Sequence, residues 1–132
     1  MRILVDADFL VALAKKDDSN HKKSVVLAEK LAGSFFFVTQ FTIPEAATVL
    51  SYKVSQNSAR IFLNETRKMN LIELPFAKNL SELTDSVFNS LRKKGTSWID
   101  CFNIACVKNF QLDGILSFDK FYQKNNIKMF SN

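Results

Sequence analysis

Arg2-Ile3-Leu4-Val5-Asp6-Ala7-Asp8 passes from a basic residue through three aliphatics into two acids. The unbroken apolar run reads as a buried strand, and the residues from Phe9 to Ala14 read as a short helix behind it. Asp6 thus carries a carboxylate at the carboxyl end of a buried strand, the end at which open α/β sheets bind ligands. No Lys or Arg adjoins it in sequence to pair with it, and a desolvated charge is costly without a partner. Three further stretches set an acid where a strand gives way to a helix or turn: Thr42-Ile43-Pro44-Glu45, Ser97-Trp98-Ile99-Asp100 and Ile115-Leu116-Ser117-Phe118-Asp119. If the strands lie parallel and side by side, the acids converge at one end of a sheet. Carboxylates so gathered repel one another unless a cation joins them, which implies Mg²⁺ or Mn²⁺ and the skeleton of a metal-dependent phosphodiesterase site.

Outward from this frame the elements alternate. Asp17-Asp18-Ser19-Asn20 reads as a turn and helix start, and Val25, Ala28, Leu31 and Ala32 recur at helical spacing up to Gly33. Residues 35–39 form a second strand, whose Phe35, Phe36 and Phe37 a sheet covered on both faces can bury. Ile43, Ala46, Ala47, Leu50 and Val54 mark one helix, and Ala59, Phe62, Leu63, Thr66 and Met69 the next. Leu71-Ile72-Glu73-Leu74 is a third strand, stopped by Pro75. Leu80, Leu83, Val87 and Leu91 give a long helix, expected to end in the basic run Arg92-Lys93-Lys94 and Gly95. Ile99, Phe102, Ala105 and Cys106 continue as a helix, Ile115-Leu116-Ser117 is a fourth strand, and residues 127–130 are expected as a short edge strand. The expected fold class is α/β: a three-layer α/β/α sandwich with a five-stranded, mainly parallel sheet, residues 1–132 forming one domain without linkers.

Composition agrees with this reading. With 47% hydrophobic residues among 132, the chain is too apolar for disorder and long enough for a proper core. Only three glycines and two prolines leave few turns, which favours α/β over a loop-rich sandwich. The longest apolar run, residues 33–38, is far too short to span a bilayer, and no signal peptide is read at the start, so a cytoplasmic protein is expected. Cys101 and Cys106 are poorly spaced for a bridge and read as core residues in a reducing compartment, and two cysteines with one histidine cannot assemble a structural zinc site. The 18 basic and 13 acidic residues leave a net charge of +5. Setting aside Asp6, Asp8, Glu45, Asp100 and Asp119 leaves 18 basic residues against 8 acidic ones, a basic body around an acidic hole that suits a polyanionic substrate.

Each acid also has a local explanation. Thr42 with Glu45, and Ser97 with Asp100, fit or approximate a capping box; Asp8 can cap a helix beginning at Phe9; Ser117 and Asp119 can form a turn. Asp6 has no such ready account. His21 reads as a solvated or packing residue beside Lys22 and Lys23, Trp98 as core or interface packing, and Asp113 as a turn residue before Gly114.

Taken together and in order, these residues resemble the PIN-domain family of metal-dependent ribonucleases, especially its small VapC-type toxins. The likeness covers essentially the whole chain: Val5-Asp6-Ala7-Asp8-Phe9-Leu10, Pro44-Glu45-Ala46-Ala47, Ser97-Trp98-Ile99-Asp100-Cys101 and Ser117-Phe118-Asp119-Lys120-Phe121-Tyr122. The resemblance implies strand order 3-2-1-4-5 and an endoribonuclease in which Asp6, Glu45, Asp100 and Asp119 hold one or two Mg²⁺ or Mn²⁺ ions. It also implies RNA products with 5′-phosphate and 3′-hydroxyl ends, a homodimer, and a small antitoxin partner. Asp8 stands where the family more often has Ser or Asn and is taken, with Ser97 and Ser117, as auxiliary. Tyr122 stands where Phe is more usual. Apolar residues in excess on the helices bearing Leu50, Phe62 and Met69 are expected to serve the dimer.

Two other readings compete. Asp6-Ala7-Asp8 matches the Asp-x-Asp nucleophile motif of haloacid-dehalogenase-type phosphohydrolases, but Leu10 replaces the Thr or Val that motif wants. The only Asp-Asp pair, Asp17-Asp18, also comes too early for that fold. A non-catalytic module, either a PIN-like RNA-binding scaffold or a receiver domain, is the other. A receiver needs an acid ending the third strand, where Leu74-Pro75 stands, and a degenerate scaffold should have lost an acid, whereas all are present.

Overall fold

The computed structural model describes residues 1–130. Its central strand, β1 (Arg2–Val5), pairs in parallel with β2 (Phe35–Val38) on one side and β4 (Gly114–Leu116) on the other. β3 (Leu71–Glu73) adds to β2, giving an all-parallel sheet of order β3-β2-β1-β4. The register sets Leu4 opposite both Phe37 and Ile115. Because every strand runs the same way, the chain leaves the sheet at one end after Val5, Val38, Glu73 and Leu116.

Alternation along β1 sorts the core into two layers. Ile3 and Val5 pack with Phe9, Leu10, Leu27, Leu50 and Phe62, contributed by α1 (Ala7–Ala14), α2 (His21–Lys30), α3 (Thr42–Lys53) and α4 (Gln56–Lys68). Leu4 faces the other way, onto Leu80, Phe102, Ile104 and Tyr122 from α5 (Asn79–Ser90), α6 (Trp98–Asn109) and α7 (Phe121–Lys124). Ile3 and Leu4 are wholly inaccessible. Burying one such side chain stabilises the fold by roughly 1.5–3 kcal/mol relative to exposure. The free thiols Cys101 and Cys106 lie buried in α6, and burial pushes the Cys106 thiol up to about 12.

Several expectations need correction. Among the described residues the sheet has four strands, not five. Its expected fifth is a single parallel bridge of Met129 with Ile115, in the place the order 3-2-1-4-5 assigns to it. Ile115 N donates to Lys128 O and Phe130 N to Ile115 O, and no longer ladder forms because β4 itself has three residues before the chain turns at Ser117. Phe35 is 62% exposed, because its register partner is Arg2 at the amino end of the sheet, beyond the helices' cover. α1 begins at Ala7, so Asp6 and not Asp8 is its N-cap. α5 ends at Ser90 with Leu91 extended, which leaves Arg92, Lys93 and Lys94 in a loop instead of on a helix end. Leu50 and Phe62 fill the monomer core.

Gly114 is held in a close approach. A Cβ there would lie 2.5 Å from Lys128 O and 2.8 Å from the Phe130 ring. Gly114→Ala must push the 128–130 segment off β4, and a loss of about 1–3 kcal/mol is expected in urea unfolding, the range for overpacking a tight site. A midpoint equal to wild type would show that this segment yields freely.

Candidate active site

Asp6 ends β1 with its backbone N–H donating to Leu116 O at 3.0 Å, so the central strand and β4 fix its position jointly. Its side chain is 7% exposed and receives three side-chain or backbone donors. Ala7 N donates to Oδ1 at 2.8 Å, Asn103 Nδ2 to Oδ1 at 3.3 Å, and Ser117 Oγ to Oδ2 at 2.8 Å. All three are neutral, so none of them cancels the charge of the ionised form. Burial above all holds the Asp6 carboxyl above its ordinary range, and repulsion from Asp119 adds to it.

The other acids surround it. Asp8 lies in the first turn of α1, with Phe118 N donating to Oδ2 at 3.0 Å and Ser117 Oγ at 3.2 Å from both carboxyl oxygens. Ser117 has one hydroxyl proton for two carboxylates. The arrangement thus suits one proton held between the Asp6 and Asp8 carboxyls, and the pKa of Asp8 is pushed up to about 7 by burial and then by Asp6. Asp100, in the first turn of α6, is raised to about 6 by burial and by Asp6. Glu45, at the exposed rim in the first turn of α3, is also raised, by partial desolvation and then by Asp6 and Asp100. Asp119, exposed past the end of β4, accepts from Phe121 N at 2.9 Å through Oδ1.

The structure therefore brings Asp6, Asp8, Glu45, Asp100, Asp119 and Ser117 to the carboxyl end of the sheet. Ser97 stands beside them as the N-cap of α6, accepting from Asp100 N at 3.3 Å. Neither expected capping box closes. Thr42 lies inside α3 and its hydroxyl turns back to Thr39, so Glu45 has no cap to complete, while Asp100 Oδ1 accepts instead from Tyr122 OH at 3.1 Å. The Asp119 turn does form, with Ser117 Oγ accepting from Asp119 N at 3.1 Å. His21 contacts Ala12 O through Nδ1, Trp98 stacks on Phe102 and donates to Asp85, and Asp113 accepts from Arg2 N.

Two residues of the site were not anticipated in these roles. Asn103, buried in α6, donates through one amide nitrogen to Asp6 and to Tyr122 OH at 2.8 Å. Tyr122, fully buried, donates its own proton to Asp100. Asn103 and Tyr122 thus link the acid ending β1 to the acid opening α6. A signal existed for Asn103: it lies three residues from Asp100, on the same helix face, inside an otherwise apolar stretch. For Tyr122 the only signal was a hydroxyl where the resemblance expects none.

The donor set is all oxygen and all acidic, which matches hard divalent cations. Among the described residues no three acidic, Cys or His side chains stand ready to ligate one ion together. That is compatible with Mg²⁺, which keeps several of its waters and takes one or two carboxylates directly.

The model of the PIN domain matches residues 3–126. This chain belongs to the PIN-domain family. Among solved structures, this PIN domain superposes on VapC20 of Mycobacterium tuberculosis, a sarcin-ricin-loop-cleaving toxin, with a TM-score of 0.85 and 15% identity over 96% of each chain. On VapBC2 of Rickettsia felis, bound to a DNA fragment from its promoter, it superposes with a TM-score of 0.74 and 12% identity. That match covers 98% of this chain and 97% of the other. Identities this low show a shared fold. No curated protein sequence matches this PIN domain.

Groups that bind protons more tightly when folded than when unfolded stabilise the fold at low pH and stop doing so above their folded pKa. For Asp100 and Asp8 that contribution is complete below the ordinary carboxylate value and is lost as pH rises through about 6 and about 7. The PIN domain in EDTA is therefore expected to melt several degrees lower at about pH 8 than at about pH 5.5, with Asp6→Asn shrinking the difference. Calorimetric melting across that range checks this, and a melting temperature that climbs with pH contradicts it.

Proposed function

We propose that the chain, read as one nuclease domain over all 132 residues, is a divalent-metal-dependent endoribonuclease and the cytoplasmic toxin of a toxin–antitoxin pair. The observation that carries this reading is the gathering of Asp6, Glu45, Asp100 and Asp119 at one end of the sheet, where among the described residues no ion pair neutralises any of them. These four would hold one or two Mg²⁺ or Mn²⁺ ions. Such an ion, when bound, supplies an acidified water and neutralises charge on the phosphodiester. The chain's own part is positional. Ser117 and Asn103 orient the two oxygens of Asp6, Tyr122 orients Asp100, and the Asp119 turn sets the acid on the far side. Asp8, held by Phe118 N, stays close enough to exchange a proton with the site near neutral pH.

Family membership sets aside the haloacid-dehalogenase and receiver readings. A non-catalytic RNA-binding scaffold remains as the second reading, and the complete set of acids speaks against it. Asp6→Asn preserves the shape and the acceptor for Ala7 N, so the fold should persist. Its divalent-dependent RNA cleavage should drop to below ~1% of wild type, the scale on which removing one electrostatic group acts in a site. Retention of the full rate by a nuclease-free preparation of the variant would refute the role of Asp6.

Partners follow from the surface. Tyr52 (87%), Ile61 (54%) and Met69 (42%) leave apolar area open on and just beyond α3 and α4. A second copy packed there buries this excess, in keeping with an isologous dimer. The small antitoxin partner would act elsewhere, its tail blocking the acidic cleft at the carboxyl end of the sheet. Light scattering at micromolar concentration is expected to give about twice the 15.0 kDa of one chain. A mass of one chain would exclude the dimer.

A further inference from the structure

The acidic centre lies between two cavities of opposite character. On one side, a cavity of about 370 Å³ is lined by Arg92, Lys93, Lys94, Lys120 and Lys124. Its acidic wall is Asp100 and Asp119. On the other side, a cavity of about 400 Å³ between α1 and α3 is lined by Asp8, Asp18 and Glu45, with Lys53 its one cation. A polyanion crossing the centre therefore meets attraction in one direction and repulsion in the other.

None of the five cations is taken up in an ion pair among the described residues, and only Lys124 lies in the last turn of a helix, the one-turn α7. α5 ends at Ser90, so Arg92, Lys93 and Lys94 do not compensate its dipole. Among the described residues the ion pairs are Lys15–Asp17 and Lys68–Glu65, which involve none of the five. The loop that presents them is nonetheless built. Gly95 takes a left-handed φ of 85°, Thr96 Oγ1 donates to Lys93 O at 2.7 Å, and Ser97 caps α6. A cavity of this volume is on the scale of a nucleotide or two, which suits the backbone of a single strand.

We propose that this cavity, between residues 91–97 and α7, is a one-sided docking site for the backbone of single-stranded RNA. The proposal rests on the ribonuclease reading for the chemistry at the acids, but the docking itself needs no chemistry. The bound strand runs from the acids into the basic cavity, and its phosphates beyond the reacting one sit on Arg92, Lys93, Lys94, Lys120 and Lys124. Little of the strand enters the α1–α3 side.

Fluorescence anisotropy of a short labelled single-stranded RNA, with the whole chain in EDTA, tests this apart from cleavage. R92A/K93A/K94A and, separately, K120A/K124A should each weaken binding ~10-fold or more near 50 mM salt. Each should also flatten the slope of log affinity against log salt by about 0.7 for every phosphate no longer neutralised. Lys30, Lys68 and Lys108 lie near the ends of helices that lead into strands, at the opposite end of the sheet. K30A/K68A/K108A, which removes as many charges as the loop variant, should change affinity less than ~2-fold, and so should K53A. Melting curves check that each variant folds, and the two separate sets guard against loss of either one. Equal losses in the loop and control variants, or a K53A loss as large as theirs, would overturn the proposal. Should wild type bind in this one-sided way yet show no hydrolysis with Mg²⁺ or Mn²⁺, the docking site stands and the nuclease reading falls. Hydrolysis accompanied by uniform losses would uphold the nuclease reading and overturn the docking site.

Discussion

A carboxyl group buried at the end of the central strand, with only neutral donors bonded to it, is the constraint on which the rest of the molecule depends. β1 runs between β2 and β4, and Asp6 N extends the ladder to Leu116 O, so the backbone that carries this carboxyl is fixed while Ser117 and Asn103 hold the side chain. The surroundings compensate incompletely. Three neutral donors satisfy the carboxylate's lone pairs but cancel none of its charge, and desolvation still dominates its titration. A protein that keeps such a group retains something that binding can relieve. Natural folds concentrate these local conflicts where they act on other molecules.

The same conflict explains how the helices are used. α1, α3 and α6 each bring an acid in their first turn to the carboxyl end of the sheet. Helix N-termini carry partial positive charge, so Asp8, Glu45 and Asp100 are each eased a little by their own backbone. Burial and mutual repulsion nonetheless win, as the upward shifts of all three show. Helix dipoles soften the cluster without neutralising it, and they leave it suited to a hard cation.

How much was legible in the sequence depends on the range of each interaction. The strands announced themselves because an aliphatic run such as Ile3-Leu4-Val5 has few other fates, and acids following such runs could be placed at one end by parallel topology alone. Interactions between residues far apart in the chain were not legible. Asn103 reaches Asp6 across 97 positions, and Ser117 reaches Asp6 across 111. Local rules misled in places: Thr42 and Glu45 have the spacing of a capping box, yet Thr39 claims the threonine hydroxyl. The basic run after Leu91 looked like a helix end because composition does not show where a helix stops. Three consecutive phenylalanines looked buried because periodicity gives the faces of a strand but not which of its ends lies outside the layers.

The two buried thiols have a consequence of another kind. Cys101 and Cys106 sit in the helix that also carries Asp100 and Asn103, and neither thiol ionises readily where it lies. A thiol reagent can reach them only when α6 lifts from the sheet or the whole chain unfolds. The rate of alkylation is thus a natural clock for the opening of the helix that carries half of the Asp6–Asp100 linkage. It needs no label, because the chain has no other cysteine.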